Sequence, residues 1–418
     1  MYRGWSPLVA VPCGAVILAL FSGMNPGDAL VGPFMKQTCN LFNTIGPLFM
    51  TGSMLASTME HTGSARSIAR FLSKTFGVKN CCWVILIVAG LLSYGGMSLG
   101  GYLIVFPIAV YLVKQANYDR NIVLGLILGG SWSFASWGPF APSTGNIYIQ
   151  NAMGTPSSAG LIPGMVALVV DIVILGFYFQ WQAKRWQKQG RFYEDDSTVA
   201  VDENEMERTA ATDPNLIVSL IPPILVIVLY NVVKLNIAVS CTLAWLACVL
   251  LNLRRFEKGQ IRTLATKGLG KAVIPAISMG MLGGIGAVVA LTPAYETVLH
   301  FLENTTAHPY LVCILAANGL AAMLGSASGG VALMMSSMMP YFERIIAMGY
   351  NAGNIHRLVE MASLGLDSLP CNGTIASCSE LFNMPYKKAY WPVFVSCTLI
   401  NILVTLLVAL PLMMMGLT

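Results

Sequence analysis

Charge is what this chain lacks most. Only 10% of its 418 residues are Asp, Glu, Lys or Arg, against about 25% in ordinary soluble domains. The four histidines are scattered, with no spacing that would hold a metal. No glycine-rich phosphate-binding loop occurs, and no nucleophile has a base partner in a known pattern. An ATP-driven pump and a soluble-type enzyme are therefore unsupported, and no cofactor or metal is expected. The ten cysteines lie mostly inside apolar runs. Cys81-Cys82 and the others read as small buried hydrophobes rather than ligands. No cleavable signal peptide is expected, since Met1-Tyr2-Arg3 leads straight into an apolar run.

What is present is apolar. Hydrophobic residues make up 56% of the chain, and the mean hydropathy is +0.67. Several runs approach the roughly 20 residues a helix needs to cross a bilayer. The composition predicts an all-α polytopic membrane protein. The net charge of +5 resides in connections between spans, as the positive-inside rule expects, and implies no nucleic-acid partner.

Uninterrupted spans are expected near 7–24, 41–59, 161–179, 216–233, 235–251, 272–291 and 391–415. The basic stretches 61–79 and 254–271, and Lys387-Lys388, are placed in the cytoplasm. The stretch 293–308 has no Lys or Arg and is placed outside. Residues 184–214 form the polar segment of the chain, read as a cytoplasmic linker between a first repeat (1–183) and a second (215–418).

Four apolar runs are interrupted. The run 82–113 breaks at Ser93-Tyr94-Gly95-Gly96-Met97-Ser98-Leu99-Gly100-Gly101, and 310–340 breaks at Gly325-Ser326-Ala327-Ser328-Gly329-Gly330. Each flank of the first is too short to span, so these read as re-entrant hairpins; one long tilted helix is the alternative for 82–113. The run 121–153 contains Ser136-Trp137-Gly138-Pro139-Phe140-Ala141-Pro142-Ser143-Thr144-Gly145-Asn146, and 354–381 contains Gly365-Leu366-Asp367-Ser368-Leu369-Pro370-Cys371-Asn372-Gly373-Thr374. Proline and glycine at such density cannot continue a helix. Both read as broken transmembrane helices whose polar backbone faces a cavity rather than lipid.

The interruptions recur in order in the two halves: hairpin, then Pro107 or Pro340, then Asn121-Ile122 or Asn354-Ile355, then a Pro-x-x-Gly break. One hairpin opens from inside and the other from outside, the pattern of inverted repeats in secondary transporters. Three spans precede the second hairpin and two the first, so one helix before Tyr2 is expected to be missing. His356-Arg357 reads as a loop charge. Gly96/Gly100, Gly125/Gly129 and Gly280/Gly284 are small pairs suited to close helix packing.

A helix ended inside the membrane exposes N–H groups at one tip, which suit a carboxylate. Four such tips would cradle a small anion without a buried Arg. The expected substrate-binding residues are Ser98, Gly100, Ser143, Thr144, Gly145, Asn146, Ser326, Ser328, Ser368, Asn372, Gly373 and Thr374. Each hydroxyl alone could equally be a capping or packing group. Asp367 is the sharpest signal, because an ionised Asp at the bilayer centre costs roughly 2.5–3.5 kcal/mol. It is the expected proton-coupling residue, with helix capping a compatible role. Asp171 and Glu360 are further intramembrane acids, Asp171 having no break beside it.

At Asp367-Ser368-Leu369-Pro370-Cys371-Asn372-Gly373, followed by Lys387-Lys388-Ala389-Tyr390, the sequence resembles the gluconate permease family of the ion-transporter superfamily. Tyr2-Arg3-Gly4-Trp5-Ser6 and the stretch 139–156, with Ile149-Gln150-Asn151, are similar to the matching family segments. Cys371 stands where that family usually has His. The resemblance implies a proton symporter importing gluconate-like sugar acids or related hydroxy-carboxylates across the bacterial cytoplasmic (inner) membrane. It also implies a homodimer, each protomer divided into a scaffold and a moving, elevator-type transport domain. Na⁺ coupling in the same fold is the alternative, because unwound carbonyls and hydroxyls could ligate Na⁺; a channel or membrane enzyme is a more distant one.

Overall fold

The structure is a computed structural model that describes residues 7–94, 98–194, 213–304, 307–370, 372, 374–375, 378–379, 382 and 384–418. The described residues are helical or irregular, with no strand among them. The first half runs α1 (Pro7–Phe21), α2 (Pro26–Ala29), a π-helical turn (Leu30–Phe34), α3 (Met35–Thr62), α4 (Ser64–Phe76), α5 (Cys81–Tyr94), α6 (Ser98–Gln115), α7 (Val123–Trp132), α8 (Thr144–Met153) and α9 (Leu161–Lys188). The second runs α10 (Leu216–Asn231), α11 (Ile237–Leu251), α12 (Gln260–Val289), α13 (Pro293–Asn304), α14 (Pro309–Leu324), α15 (Ala327–Ser337), α16 (Met339–Ala347) and α17 (Ala352–Asp367). The last helix, α18 (Tyr386–Met414), is long and apolar enough to span a membrane, as are α9 and α12.

The chain is a membrane protein, and its helices pack as membrane helices do. Lipid is as apolar as leucine, so close backbone approach must supply the attraction between helices. α3 lies along α12, joining the two halves. At Gly280 a Cβ would stand 2.8 Å from the Thr38 carbonyl. At Gly125 it would stand 2.8 Å from Pro392 Cβ, and at Gly129 3.3 Å from Ser396 Cβ. Both small-residue pairs therefore sit on contacts; Gly96 lies outside the described residues.

The connections between spans are themselves largely helical, α12 beginning at Gln260 within the stretch 254–271. The basic stretch 61–79 contains α4, and the stretch 293–308 contains α13. Arg66, Arg70 and Lys74 share α4 with Ile68, Phe71 and Leu72, an amphipathic pattern that suits a helix lying in the interface. Arg66 and Arg70 hold Asp213, at 3.1 Å and 2.9 Å, where the chain enters the second half.

The packing repeats between halves. α5 and α6 pack together; α5 lies on α7, and α6 on α3. In the second half α14 and α15 pack together; α14 lies on α17, and α15 on α12. The halves also cross over. α15 lies against α8, and Phe106 of α6 stacks on Phe382, with ring centroids 3.9 Å apart.

Candidate functional site

The first interruption is built from local backbone chemistry. A π-helical turn (Ser133–Trp137) ends α7, and Gly138 turns the chain to extended conformation. Phe140 lies between Pro139 and Ala141 in the left-handed region, at φ 68°, a costly state for a bulky side chain. Its N–H donates to the Ser157 carbonyl at 2.8 Å, and Tyr94 at the end of α5 donates to the Pro139 carbonyl. The chain resumes as α8 with Ser143 as its cap, accepting from the Asn146 N–H at 3.2 Å.

Side chains of α17 reach into this interruption. Arg357 is fully buried. Its Nε and Nη2 donate to the Ala159 carbonyl at 3.1 and 3.0 Å, and its Nη1 donates to the Ser136 carbonyl at 2.9 Å and Asn146 Oδ1 at 3.1 Å. Gly160 and Gly164 make room for it, since a Cβ at Gly160 would stand 2.6 Å from Arg357 Cβ. His356, equally buried, joins Thr155 Oγ1 at 2.7 Å through Nδ1 and Asn146 Oδ1 at 3.1 Å through Nε2. A proton on Nε2 satisfies both bonds. One turn further on, Glu360 Oε1 accepts from Ser143 Oγ at 2.9 Å. The Ser136 hydroxyl and the Asn146 backbone N–H also face this carboxyl, and it covers Gly145 so closely that a Cβ there would collide with it. Glu360 Oε2 makes no hydrogen bond among the described residues.

The second interruption follows α17 directly. Asn372 caps the next helical residues by accepting from the Ile375 N–H at 2.9 Å, and its Nδ2 donates to Asp367 Oδ1 at 2.5 Å and to the Asp367 carbonyl at 3.2 Å. The Asp367 carboxyl also faces the backbone N–H of Ala327, the first residue of α15. Asn318 of α14 accepts from the Leu366 N–H at 3.0 Å. Tyr390 of α18 donates to the Ser368 carbonyl at 2.8 Å.

Two helix N-termini therefore meet two carboxyls carried by one helix: Glu360 at α8 and Asp367 at α15. They stand seven residues apart on α17, about 10 Å along its axis. Each N-terminus carries a partial positive charge that a carboxylate satisfies. Asp171 is carried by a different helix, α9. Ser133 Oγ donates to its Oδ2 at 2.5 Å, and its Oδ1 has no hydrogen-bond partner among the described residues.

The residues expected to bind substrate fall into four groups. Ser143, Thr144, Gly145 and Asn146 form the start of α8, facing α17. Ser326 caps α15, accepting from the Gly329 N–H at 3.2 Å, with Ser328 Oγ at 3.3 Å from its own oxygen. Ser368, Asn372 and Thr374 line the second interruption, while Gly373 and Cys371 lie outside the described residues. Ser98 and Gly100 lie in the first turn of α6. Asn146 is fully engaged by protein groups, donating to the Ala135 and Ala141 carbonyls as well. It braces the first interruption.

Sequence reasoning misplaced His356 and Arg357. They are interior residues of α17, not loop charges, and the site has a buried Arg after all. The overlooked signal was the spacing itself. Residues three and four apart are neighbours on a helix surface, so His356 and Arg357 both stand beside Glu360, within a run that is otherwise apolar.

Paired helices and interrupted helices that enclose buried carboxyls within an apolar shell have the architecture of membrane transporters. The fold is similar to the YdaH transporter of Alcanivorax borkumensis, with a TM-score of 0.62 over 93% of this chain and 88% of that one, at 11% identity. The GntP family permease model matches residues 4–363, so the chain belongs to the GntP permease family. It is 24% identical over 94% of its length to an uncharacterized transporter, YxjC, of Bacillus subtilis, covering 92% of that protein. It is 25% identical to a gluconate permease of Pseudomonas aeruginosa over 41% of this chain and 38% of that one.

Proposed function

We propose that the protein imports a small hydroxy-carboxylate, gluconate-like in chemistry, together with a proton. The observation that carries this reading is Asp367, a buried carboxyl held by Asn372 and facing the N-terminus of α15. Ionised, Asp367 satisfies that N-terminus and excludes another anion from it. Protonated, it carries no charge, and the Ala327 N–H is released to a substrate carboxylate at the helix tip that Ser326 caps. Proton and anion then bind together because each makes room for the other, which is symport by electrostatic exchange. Glu360, with one oxygen free at α8, marks the second tip of the same cradle.

The matching order and packing of the two halves support an inverted repeat. In this reading the paired hairpins and interrupted helices move as one body against a scaffold containing α3 and α12, in a homodimer within the bacterial inner membrane. Uptake of labelled gluconate into proteoliposomes tests the coupling. An inward proton gradient should drive accumulation in the wild type, and Asp367→Asn should abolish that dependence. Accumulation that follows a Na⁺ gradient and ignores pH, or that survives unchanged in Asp367→Asn, would refute the proton role.

A further inference from the structure

A cavity of about 860 Å³ lies at the cytoplasmic ends of α9 and α18, beside the residues that lead into α7. It brings together the residues just before α7, the end of α9 and the start of α18, the last two of which the sequence placed in the cytoplasm. Five cations line it, Arg120, Arg185, Arg191, Lys387 and Lys388, against two acids, Asp119 and Glu194. Asp119 is already engaged, accepting from Arg191 Nε at 2.7 Å, and the Arg191 guanidinium stacks on Trp186, 3.8 Å from the ring centroid. Arg120 donates to the Phe382 carbonyl at 3.0 Å. Arg185, Lys387 and Lys388 have no acidic partner among the described residues.

The depth of the cavity is fixed by two lipid-facing stripes. On α9 the exposed apolar residues Val169, Val173, Phe177 and Trp181 recur every fourth position, and the stripe ends at Trp181, 54% exposed. Arg185 is the next residue in that series. On α18 the exposed residues Leu407, Leu403 and Leu399 lead to Trp391, 55% exposed, which lines the cavity. Lys387 stands one turn before Trp391. Tryptophan marks the level where hydrocarbon gives way to headgroups. These cations therefore lie one turn beyond the hydrocarbon edge, at phosphate depth.

We propose that this cavity binds the phosphate of an anionic phospholipid headgroup, with Arg185, Lys387 and Lys388 as its charged contacts and Trp391 beside the upper acyl chain. Basic pockets between transmembrane helices on the cytoplasmic side suit such lipids. A free phosphate compound would use the same charges but not the two tryptophan-ended stripes that open the cavity to lipid.

The test uses the full chain in nanodiscs of phosphatidylcholine, alone or with cardiolipin or phosphatidylglycerol, read by native mass spectrometry and thermal unfolding. The wild type should retain anionic lipid and unfold at a higher temperature when it is present. The triple variant Arg185→Gln/Lys387→Gln/Lys388→Gln should unfold like the wild type in phosphatidylcholine, yet retain anionic lipid at least tenfold less. A control variant, Arg254→Gln/Arg255→Gln/Lys258→Gln, removes as much cytoplasmic charge elsewhere and should retain lipid normally. Equal retention by the triple variant would overturn the proposal, as would equal loss in the control, which would reduce the effect to general surface charge. Equal protection of the wild type by inorganic phosphate or glycerol phosphate would assign the cavity to a soluble anion instead. None of these outcomes depends on transport.

Discussion

Replacing Arg357 by Met should cost more stability than any other single change in α17. The guanidinium makes four hydrogen bonds to the Ala159 carbonyl, the Ser136 carbonyl and Asn146 Oδ1. Met fills similar volume but leaves the Ser136 and Ala159 carbonyls without these donors, and takes the nearest cation from Glu360. Removing one member of a buried charged network costs about 3–5 kcal/mol. At roughly 2 °C per kcal/mol, the large-domain end of the size scaling, the unfolding midpoint in detergent should fall by about 6–10 °C. Arg357→Lys should recover little of this, because a compact ammonium cannot reproduce a fork that reaches three acceptors. Adding Glu360→Gln to Arg357→Met should cost less than the two changes summed, since glutamine leaves no charge there without its cation. The assay is thermal unfolding followed by tryptophan fluorescence. A loss under about 2 °C in Arg357→Met, roughly 1 kcal/mol on the same scale, or a Lys variant as stable as the wild type, would refute the reasoning.

Two further outcomes are expected. Gly145→Ala places a methyl where the Glu360 carboxyl lies, so it should cost about 1–3 kcal/mol by overpacking and slow uptake in protein that still folds; wild-type uptake would show that the Glu360 contact at α8 does not matter. Asp213→Asn weakens the tie to Arg66 and Arg70, costing about 1–3 kcal/mol for hydrogen bonds to charged groups. It should speed tryptic cleavage between the halves, and an unchanged cleavage rate would count against the tie.

The sequence by itself determined the solvent and the breaks. So little charge in so much apolar chain leaves only a bilayer, and proline clustered with glycine, as at Gly138-Pro139 and Pro142-Ser143-Thr144-Gly145, ends a helix where a single proline such as Pro47 in α3 does not. Both interruptions are in the structure where proline and glycine put them, and Asp367 is buried as its apolar neighbourhood implied. The glycine pairs at 125/129 and 280/284 were legible for the same reason, since only small residues let backbones approach in lipid. The amphipathic helices α4 and α13 were hidden behind their charge, which marked them as connections without revealing their periodicity.

What only the tertiary structure decided is which groups satisfy which. Arg357 and His356 could be told from loop charges only by their partners at Ser136, Asn146, Thr155 and Ala159, which lie some 200 residues away in the chain. The same holds for the N-termini of α8 and α15. Local sequence says that each offers free N–H groups to an anion. Only the path of α17 past both shows that the protein brings its own carboxyls, Glu360 and Asp367, to those positions, because a buried charge is stable only where the fold supplies its counterpart.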